Sequence, residues 1–326
     1  MARFRFSDGI EVRSQRNQYK RYDVFLCRQE GHRAFGSRVS VYHVLREKQC
    51  YPGGCLGFAW KCLRLNKGLS CPRGMHHVGK MCFGCKFFVD EKINYRPEVL
   101  LSPEEFDAFR EELREFERWV EDHRGREVNC SGTVLSVKPH LTIDPSRSWR
   151  PSFHGFLAVI ADGFVDMVHF EDSCYVRLGS RAQERYRFRP GDRVDLYGRF
   201  KEDRGRIILT GVNRVEVEHR SEGLWWNEAR ARVALHTGKI LEGQPRKCLD
   251  CRNGCLIDVR PARGWETRSR RILFCLEGIE DPSLCTRVET GEEIREGCGI
   301  RTGACTGNGG LTVHQDAAMN QALVTR

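Results

Sequence analysis

The alternation of apolar and polar positions divides the chain into stretches of different period. Residues 1–48 alternate in short runs, such as Tyr22-Asp23-Val24-Phe25-Leu26 and Val39-Ser40-Val41-Tyr42-His43-Val44-Leu45. Period two predicts strands here, with Gly31 and Gly36 marking turns. Residues 50–88 lose all periodicity and become Gly-rich, from Pro52-Gly53-Gly54 to Gly84. The period turns helical at Ser102-Pro103-Glu104-Glu105, a capping box with Pro at the first helical position. Phe106, Phe109, Leu113, Phe116 and Val120 follow as one apolar stripe, and Gly125 predicts the C-terminal cap.

Residues 126–220 predict β structure. A long strand over 127–137 carries Gly132 where it can bend, and a loop is expected over 138–153. Two strands, 156–160 and 164–170, read as a hairpin about Asp162-Gly163. A connection over 171–189 leads to the turn Arg189-Pro190-Gly191-Asp192. Strands over 193–200 and 205–210 follow, the last continuing to Val217. Residues 222–241 predict a helix that packs through Trp225, Trp226, Ala229, Val233 and Leu235, and Gly243-Gln244-Pro245 breaks it.

The cysteines change this picture most. Six of the 16 fall between Cys50 and Cys85, and seven between Cys248 and Cys305; only Cys27, Cys130 and Cys174 stand apart. Thiols so dense either form disulfides or hold metal. The start of the chain, Met-Ala-Arg-Phe-Arg-Phe, lacks the apolar run of an export signal, so a reducing cytoplasmic compartment is expected and metal is favoured. The irregular Gly-rich segment cannot bury much apolar surface alone, and a bound metal would replace the missing core. No long uncharged apolar run predicts a membrane span.

In the first module Cys82-Phe83-Gly84-Cys85 is a close pair that Cys71 and Cys62 complete, with Cys55 and Cys50 as alternates or ligands of a second centre. In the second, Cys248, Cys251 and Cys255 lie close together, and Cys275 and Cys285 complete the set. Cys-x-x-Cys turns with distant partners suit tetrahedral zinc. Three close thiols and a remote fourth also suit a [4Fe-4S] cluster. Cys130 and Cys174 are expected to be packed.

Net charge is +10, and the basic excess belongs to residues 1–98, with 19 Lys and Arg against 8 Asp and Glu. Such concentration favours phosphate backbones or acidic partners. Four thiolates on one zinc offset part of this excess.

The order long strand, loop, hairpin, connection, Pro-Gly-Asp turn, strand, charged turn, strand resembles the five-stranded OB-fold barrel. The segment Arg189-Pro190-Gly191-Asp192-Arg193-Val194-Asp195-Leu196-Tyr197-Gly198-Arg199-Phe200 is similar to the fourth-strand entry of nucleic-acid-binding members. Val194, Leu196 and Phe200 share the parity that would fill the barrel. The resemblance implies a groove walled by the first and last loops. Here those loops and the fourth strand bear Arg147, Trp149, Arg150, Phe153, His154, Tyr197, Arg199, Lys201, Arg204 and Arg206. Aromatic faces beside guanidinium groups suit single-stranded DNA or RNA, because bases stack and phosphates pair.

The expected fold is α+β, mainly β: a central five-stranded OB-type barrel, a preceding amphipathic helix and two small Cys-rich metal modules. The expected domains are a β/Cys-rich module over 1–98, a connecting helix over 99–125, the barrel over 126–220, a helical linker over 221–245, and a Cys-rich module with its tail over 246–326. No Walker loop, dinucleotide fingerprint, nucleophile elbow or H-E-x-x-H occurs. A non-catalytic, single-strand-preferring nucleic-acid-binding protein is therefore expected. The alternatives are an iron–sulfur electron-transfer protein with the barrel as scaffold, and an adaptor for a protein partner.

Overall fold

The structure is a computed structural model that describes residues 2–5, 11–29, 32, 37–242, 245–249, 251–260 and 270–285. It is mixed α+β, with one large sheet and few helices among the described residues. Cys298 and Cys305 lie outside the described residues.

Strands β1 (Ala2–Arg5) and β2 (Glu11–Gln15) open the chain, and β3 (Phe25–Leu26), β4 (Arg38–Val39), β5 (Cys55–Cys62), β6 (Phe88–Tyr95) and β7 (Glu98–Val99) follow. Helix α1 is Pro103–His123. Next come β8 (Glu127–Asp144), β9 (Ser148–Val165), β10 (Val168–Phe170), β11 (Cys174–Leu178), α2 (Ser180–Tyr186), β12 (Arg193–Asp203) and β13 (Arg206–His219). The chain continues through α3 (Glu228–Thr237), β14 (Lys239–Ile240), α4 (Arg246–Leu249), β15 (Gly254–Val259) and β16 (Arg270–Cys275). It divides into two compact units, Met1–Lys20 with Phe109–Arg326, and Arg21–Ala108.

The capping box forms as its residues dictate. Ser102 Oγ accepts from the Glu105 amide at 3.2 Å, and the Glu105 carboxylate accepts from the Ser102 amide at 2.9 Å. From Phe109 onward the helix lies in the larger unit, where Phe109, Leu113, Phe116, Trp119 and Val120 are buried. Trp119 stacks on Phe170 and meets Phe200 edge-on, with ring centroids 5.7 and 5.3 Å apart.

In the larger unit β8 pairs antiparallel with β9, β9 antiparallel with β11, β11 parallel with β13, β13 antiparallel with β12, and β12 antiparallel with β8. Along β12 the side chains alternate: Val194, Leu196 and Phe200 are fully buried, while Arg193 and Arg199 are exposed. Gly132 on β8 has a φ of +151°, and a Cβ there would stand 2.8 Å from the Ala161 carbonyl oxygen. Only glycine lets β8 and β9 approach this closely.

Three details differ from the sequence reading. The expected loop over 138–153 is mostly strand, because β8 and β9 run on to a short turn between Asp144 and Ser148. The hairpin turn falls at Asp166-Met167, both at positive φ, and not at Asp162-Gly163, which lie within β9. The run 39–45 is only briefly extended: β4 ends at Val39, and a helical turn over His43–Glu47 buries Val44 beside Val41.

The segment after α4 joins the same sheet. β15 pairs in parallel with the end of β8, Asp258 and Val259 lying against Thr142 and Ile143, and β16 pairs with β15. Leu141, Ile143, Cys255, Ile257, Val259, Phe274 and Leu276 form the core beneath this extension.

Candidate metal centres and nucleic-acid interface

In the smaller unit β5 and β6 form a two-stranded ribbon, with Cys62 at one end opposite Phe88. Two tight turns lie in the connection between the two strands. The Gly74 amide bonds to the Cys71 carbonyl at 3.0 Å, and the Cys85 amide to the Cys82 carbonyl at 3.0 Å. These turns bring Cys62, Cys71, Cys82 and Cys85 onto the wall of one small cavity, with Leu65, Pro72 and Phe88 beside them. The amides of Arg73 and Met75 bond to the Cys71 sulfur and lower its pKa. Amide donors aimed at sulfur favour thiolate, the form that binds metal.

Cys55 lies apart from this set. It opens β5 and Cys62 ends it, so seven rises of about 3.3 Å put the two roughly 23 Å apart, too far for one ion. His76 and His77 are exposed.

In the larger unit Cys248 lies within the electrostatic reach of Cys251, Cys275 and Cys285. Burial raises its pKa first, and the neighbouring Cys251 adds to that, while Lys247 opposes it. The Cys248–Cys251 turn is fixed to β8 by Lys138, whose Nζ donates to the carbonyls of Cys251 and Gly254 at 2.9 and 2.7 Å. Gly254 is required there, because a Cβ would stand 1.7 Å from the Cys248 carbonyl oxygen. Cys255 turns the other way. It is buried in the core, donates from Sγ to the Pro139 carbonyl at 3.2 Å, and has its pKa raised to about 11 by burial.

All the described cysteines are free thiols. Among the described residues no group of three or more His, Cys, Asp or Glu side chains is arranged so that it could hold a metal ion as it stands. The donor types fit zinc: in the smaller unit four thiols line one cavity with amide donors facing one of the sulfurs, and in the larger unit Cys248 feels three further thiols. Cys130 and Cys174 are packed together in the core, sulfurs 3.3 Å apart. The hydrogen bond between them, and then burial, raise the Cys130 pKa.

The barrel residues that the sequence grouped as one interface fall into three situations. Arg147, Trp149 and Arg150 are exposed at the β8–β9 turn, Arg147 pairing loosely with Asp144 at 3.7 Å. Arg199 and Lys201 are exposed on β12, and Tyr197 is half-buried under the Arg214 guanidinium, 5.3 Å away. His154 is exposed beside His140, and burial followed by the His140 charge lowers its pKa. Phe153 is committed to packing, edge-on to Phe156 and against the core under β15.

Arg204 and Arg206 belong to a buried ion network. Arg204 bonds to Asp258, and Arg206 pairs with Asp203 at 3.2 Å and with Asp258 at 3.9 Å. Arg206 also lies over the Tyr175 ring at 5.2 Å. Arg177 reaches Asp203 at 3.3 Å. Burial works against the Asp203 carboxylate, but Arg206 and Arg204 outweigh it and lower its pKa. The partner carboxylate at 258 lies more than fifty residues from these arginines, which is why the sequence pattern of the loop did not reveal it.

A surface that the sequence reading did not single out lies on the ribbon of the smaller unit. Leu56, Phe58 and Trp60 share one face of β5 and are all exposed, Phe58 by 65% and Trp60 by 42%. Their cross-strand partners on β6 are Asn94, Lys92 and Asp90. Phe83, also exposed, meets Trp60 edge-on at 5.0 Å, and Phe88 lies 5.3 Å from Phe83. Arg64 and Lys86 lie over Phe87 at 5.3 and 5.1 Å. Alternation within residues 56–60 was the available signal, obscured by the glycine and cysteine content around it.

No helix among the described residues is long and apolar enough to cross a membrane. Comparison with protein families, with curated proteins and with solved structures finds no significant match to this chain.

Proposed function

We propose that this chain is a non-catalytic, single-strand-preferring nucleic-acid-binding protein of a reducing, cytoplasmic compartment. Its two Cys-rich segments are held by thiolate-bound zinc, and its central strands form an OB-type barrel. The observation that carries the reading is the exposed aromatic face of the ribbon, Phe58 and Trp60 with Phe83 beside them, and with Lys92 across from Phe58. Exposed rings offer a stacking surface to any base, and the nearby cation pairs with phosphate.

The pairing order of β8, β9, β11, β13 and β12, with the parallel β11–β13 pair, supports the barrel. In that barrel Trp149, Arg150, Arg199 and Lys201 are the exposed residues open to a second strand contact, whereas Arg204 and Arg206 hold the fold together. Zinc would be held by Cys62, Cys71, Cys82 and Cys85, and by Cys248, Cys251, Cys275 and Cys285. It would supply the cohesion that these irregular segments lack, without taking part in chemistry.

Fluorescence anisotropy with labelled single-stranded and duplex DNA and RNA tests the reading. The full chain is expected to bind single strands more tightly than duplex, with affinity falling steeply as salt rises. Absence of single-strand binding at low salt overturns it. The apolar side chain of Leu56 on the same face favours a protein partner as the second reading, and a stable complex that survives nuclease would support that instead.

A further inference from the structure

The residues left out of the first thiol cavity meet elsewhere in the smaller unit. Cys27 directly follows β3, and its amide bonds to the Ser37 carbonyl at 2.8 Å. The His32 amide bonds to the Gln29 carbonyl at 2.9 Å. Cys50 is tied to the preceding helical turn by its amide, 3.0 Å from the Val44 carbonyl oxygen, and Cys55 opens β5 after the turn at Gly54. The result is two pairs of identical spacing, Cys27-x4-His32 and Cys50-x4-Cys55, supplied by two separate loops.

Three of the four side chains are buried. Cys27, His32 and Cys50 are exposed by only 1%, 4% and 3%. The Cys27 and Cys55 thiols are hydrogen-bonded to each other, and the Cys50 thiol feels both. The Gln29 amide bonds to the Cys27 sulfur. The Cys27 carbonyl lies against the His32 imidazole and orients it. His32 Nδ1 is buried and has no hydrogen-bond partner. An orphaned buried nitrogen costs about 1–3 kcal/mol, and such an atom in a native fold calls for an explanation. His43, whose ring packs edge-on against His32 at 5.2 Å, is committed to Glu47, 3.3 Å from its Nδ1.

We propose that Cys27, His32, Cys50 and Cys55 are the ligands of a second structural zinc ion in the smaller unit, three sulfurs and one imidazole nitrogen, separate from the set at Cys62, Cys71, Cys82 and Cys85. The nitrogen donor selects zinc over an all-thiolate cluster, and the burial of Cys27, His32 and Cys50 suits a closed structural site. The three sulfurs are free thiols. Aqueous zinc supplies the charge: as each sulfur–zinc bond forms, one thiol proton leaves to solvent.

The decisive experiment counts zinc per chain in the full-length protein and reads its donor atoms by X-ray absorption at the zinc edge. The double variant Cys50→Ser/Cys55→Ser is expected to hold one zinc equivalent fewer than wild type. His32→Cys is expected to keep the wild-type count while its nitrogen contribution to the zinc shell falls. An unchanged count in the double variant, or an unchanged nitrogen contribution in His32→Cys, overturns the site. Should the double variant fail to fold, the spectra of wild type and His32→Cys decide alone, and a wild-type zinc shell made only of sulfur overturns it.

Discussion

Arg271 on β16 and Asp258 on β15 face each other across the hairpin, Nε donating to the carboxylate at 2.9 Å, with the arginine side chain 1% exposed. Arg204 bonds to the same carboxylate from the turn between β12 and β13, and His140 Nε2 lies 3.9 Å from it. Asp258 is thus the common anion that joins the C-terminal hairpin to β8, β12 and β13. Replacing it by Asn leaves buried guanidinium groups without compensation, which typically costs about 3–5 kcal/mol. Urea denaturation of Asp258→Asn is expected to show a loss of that size. A midpoint equal to wild type would show that the network is not structural.

The same residue sets an acid limit. Burial opposes the Asp258 charge, but the hydrogen bond with His140 and the charges of Arg271, Arg204 and Arg206 outweigh it, holding its pKa well below the ordinary carboxylate range. Its stabilisation is therefore fully present above the unfolded carboxylate pKa of about 3.9, and is lost as pH falls through the lower folded value. Thermal melts between about pH 5 and pH 3 should show wild type losing stability more steeply than Asp258→Asn. Parallel curves would exclude the linkage.

Asp192, fully buried, accepts from the Arg189 amide at 3.0 Å, the Ser221 amide at 2.8 Å and Arg220 Nη1 at 3.0 Å. The Pro190-Gly191-Asp192 turn therefore clamps the end of β13 to the start of β12. Asp192→Ala is expected to lower stability by about 3 kcal/mol, since three charge-assisted donors lose their acceptor. Equilibrium denaturation measures this directly, and a loss near zero would contradict it.

Much of this architecture is legible in the sequence where the deciding contacts are local. Ser102 and Glu105 cap α1 three residues apart, and the parity of Val194, Leu196 and Phe200 orients β12 without any distant partner. Legibility fails where the partner is remote or the turn carries no signal. Met167 at positive φ is not a turn residue by type, so the hairpin was expected at Asp162-Gly163. The stretch Ser148-Trp149-Arg150 reads as loop because its exposed side chains show no alternation, yet it opens strand β9, with Ser148 opposite Asp144 of β8. Phe153, Arg204 and Arg206 look like binding residues by type alone. Their partners, under β15 and at Asp258, are distant in sequence. Cys27 looked solitary for the same reason, and only the fold brings it to Cys50, Cys55 and His32.

On the ribbon, Trp60→Ala and Phe58→Ala test the stacking face. Each stacked base contributes about 1–3 kcal/mol, so each substitution is expected to weaken single-strand binding by at least about fivefold. Lys92→Ala should instead flatten the dependence of affinity on salt. Anisotropy titrations at two salt concentrations separate the two effects. Undiminished binding in both aromatic variants would move the interface off this ribbon.

The claim on which the rest depends is that thiolate-bound zinc does the work of an apolar core in the Cys-rich segments. Metal analysis of the anaerobically purified wild-type chain, taken with its visible spectrum, tests it most directly. The account predicts a colourless protein with zinc bound in proportion to its thiol sets, unfolding in those segments when the zinc is chelated. A folded chain without metal and with its cysteines paired as disulfides would contradict it, as would a brown protein bleached by dithionite.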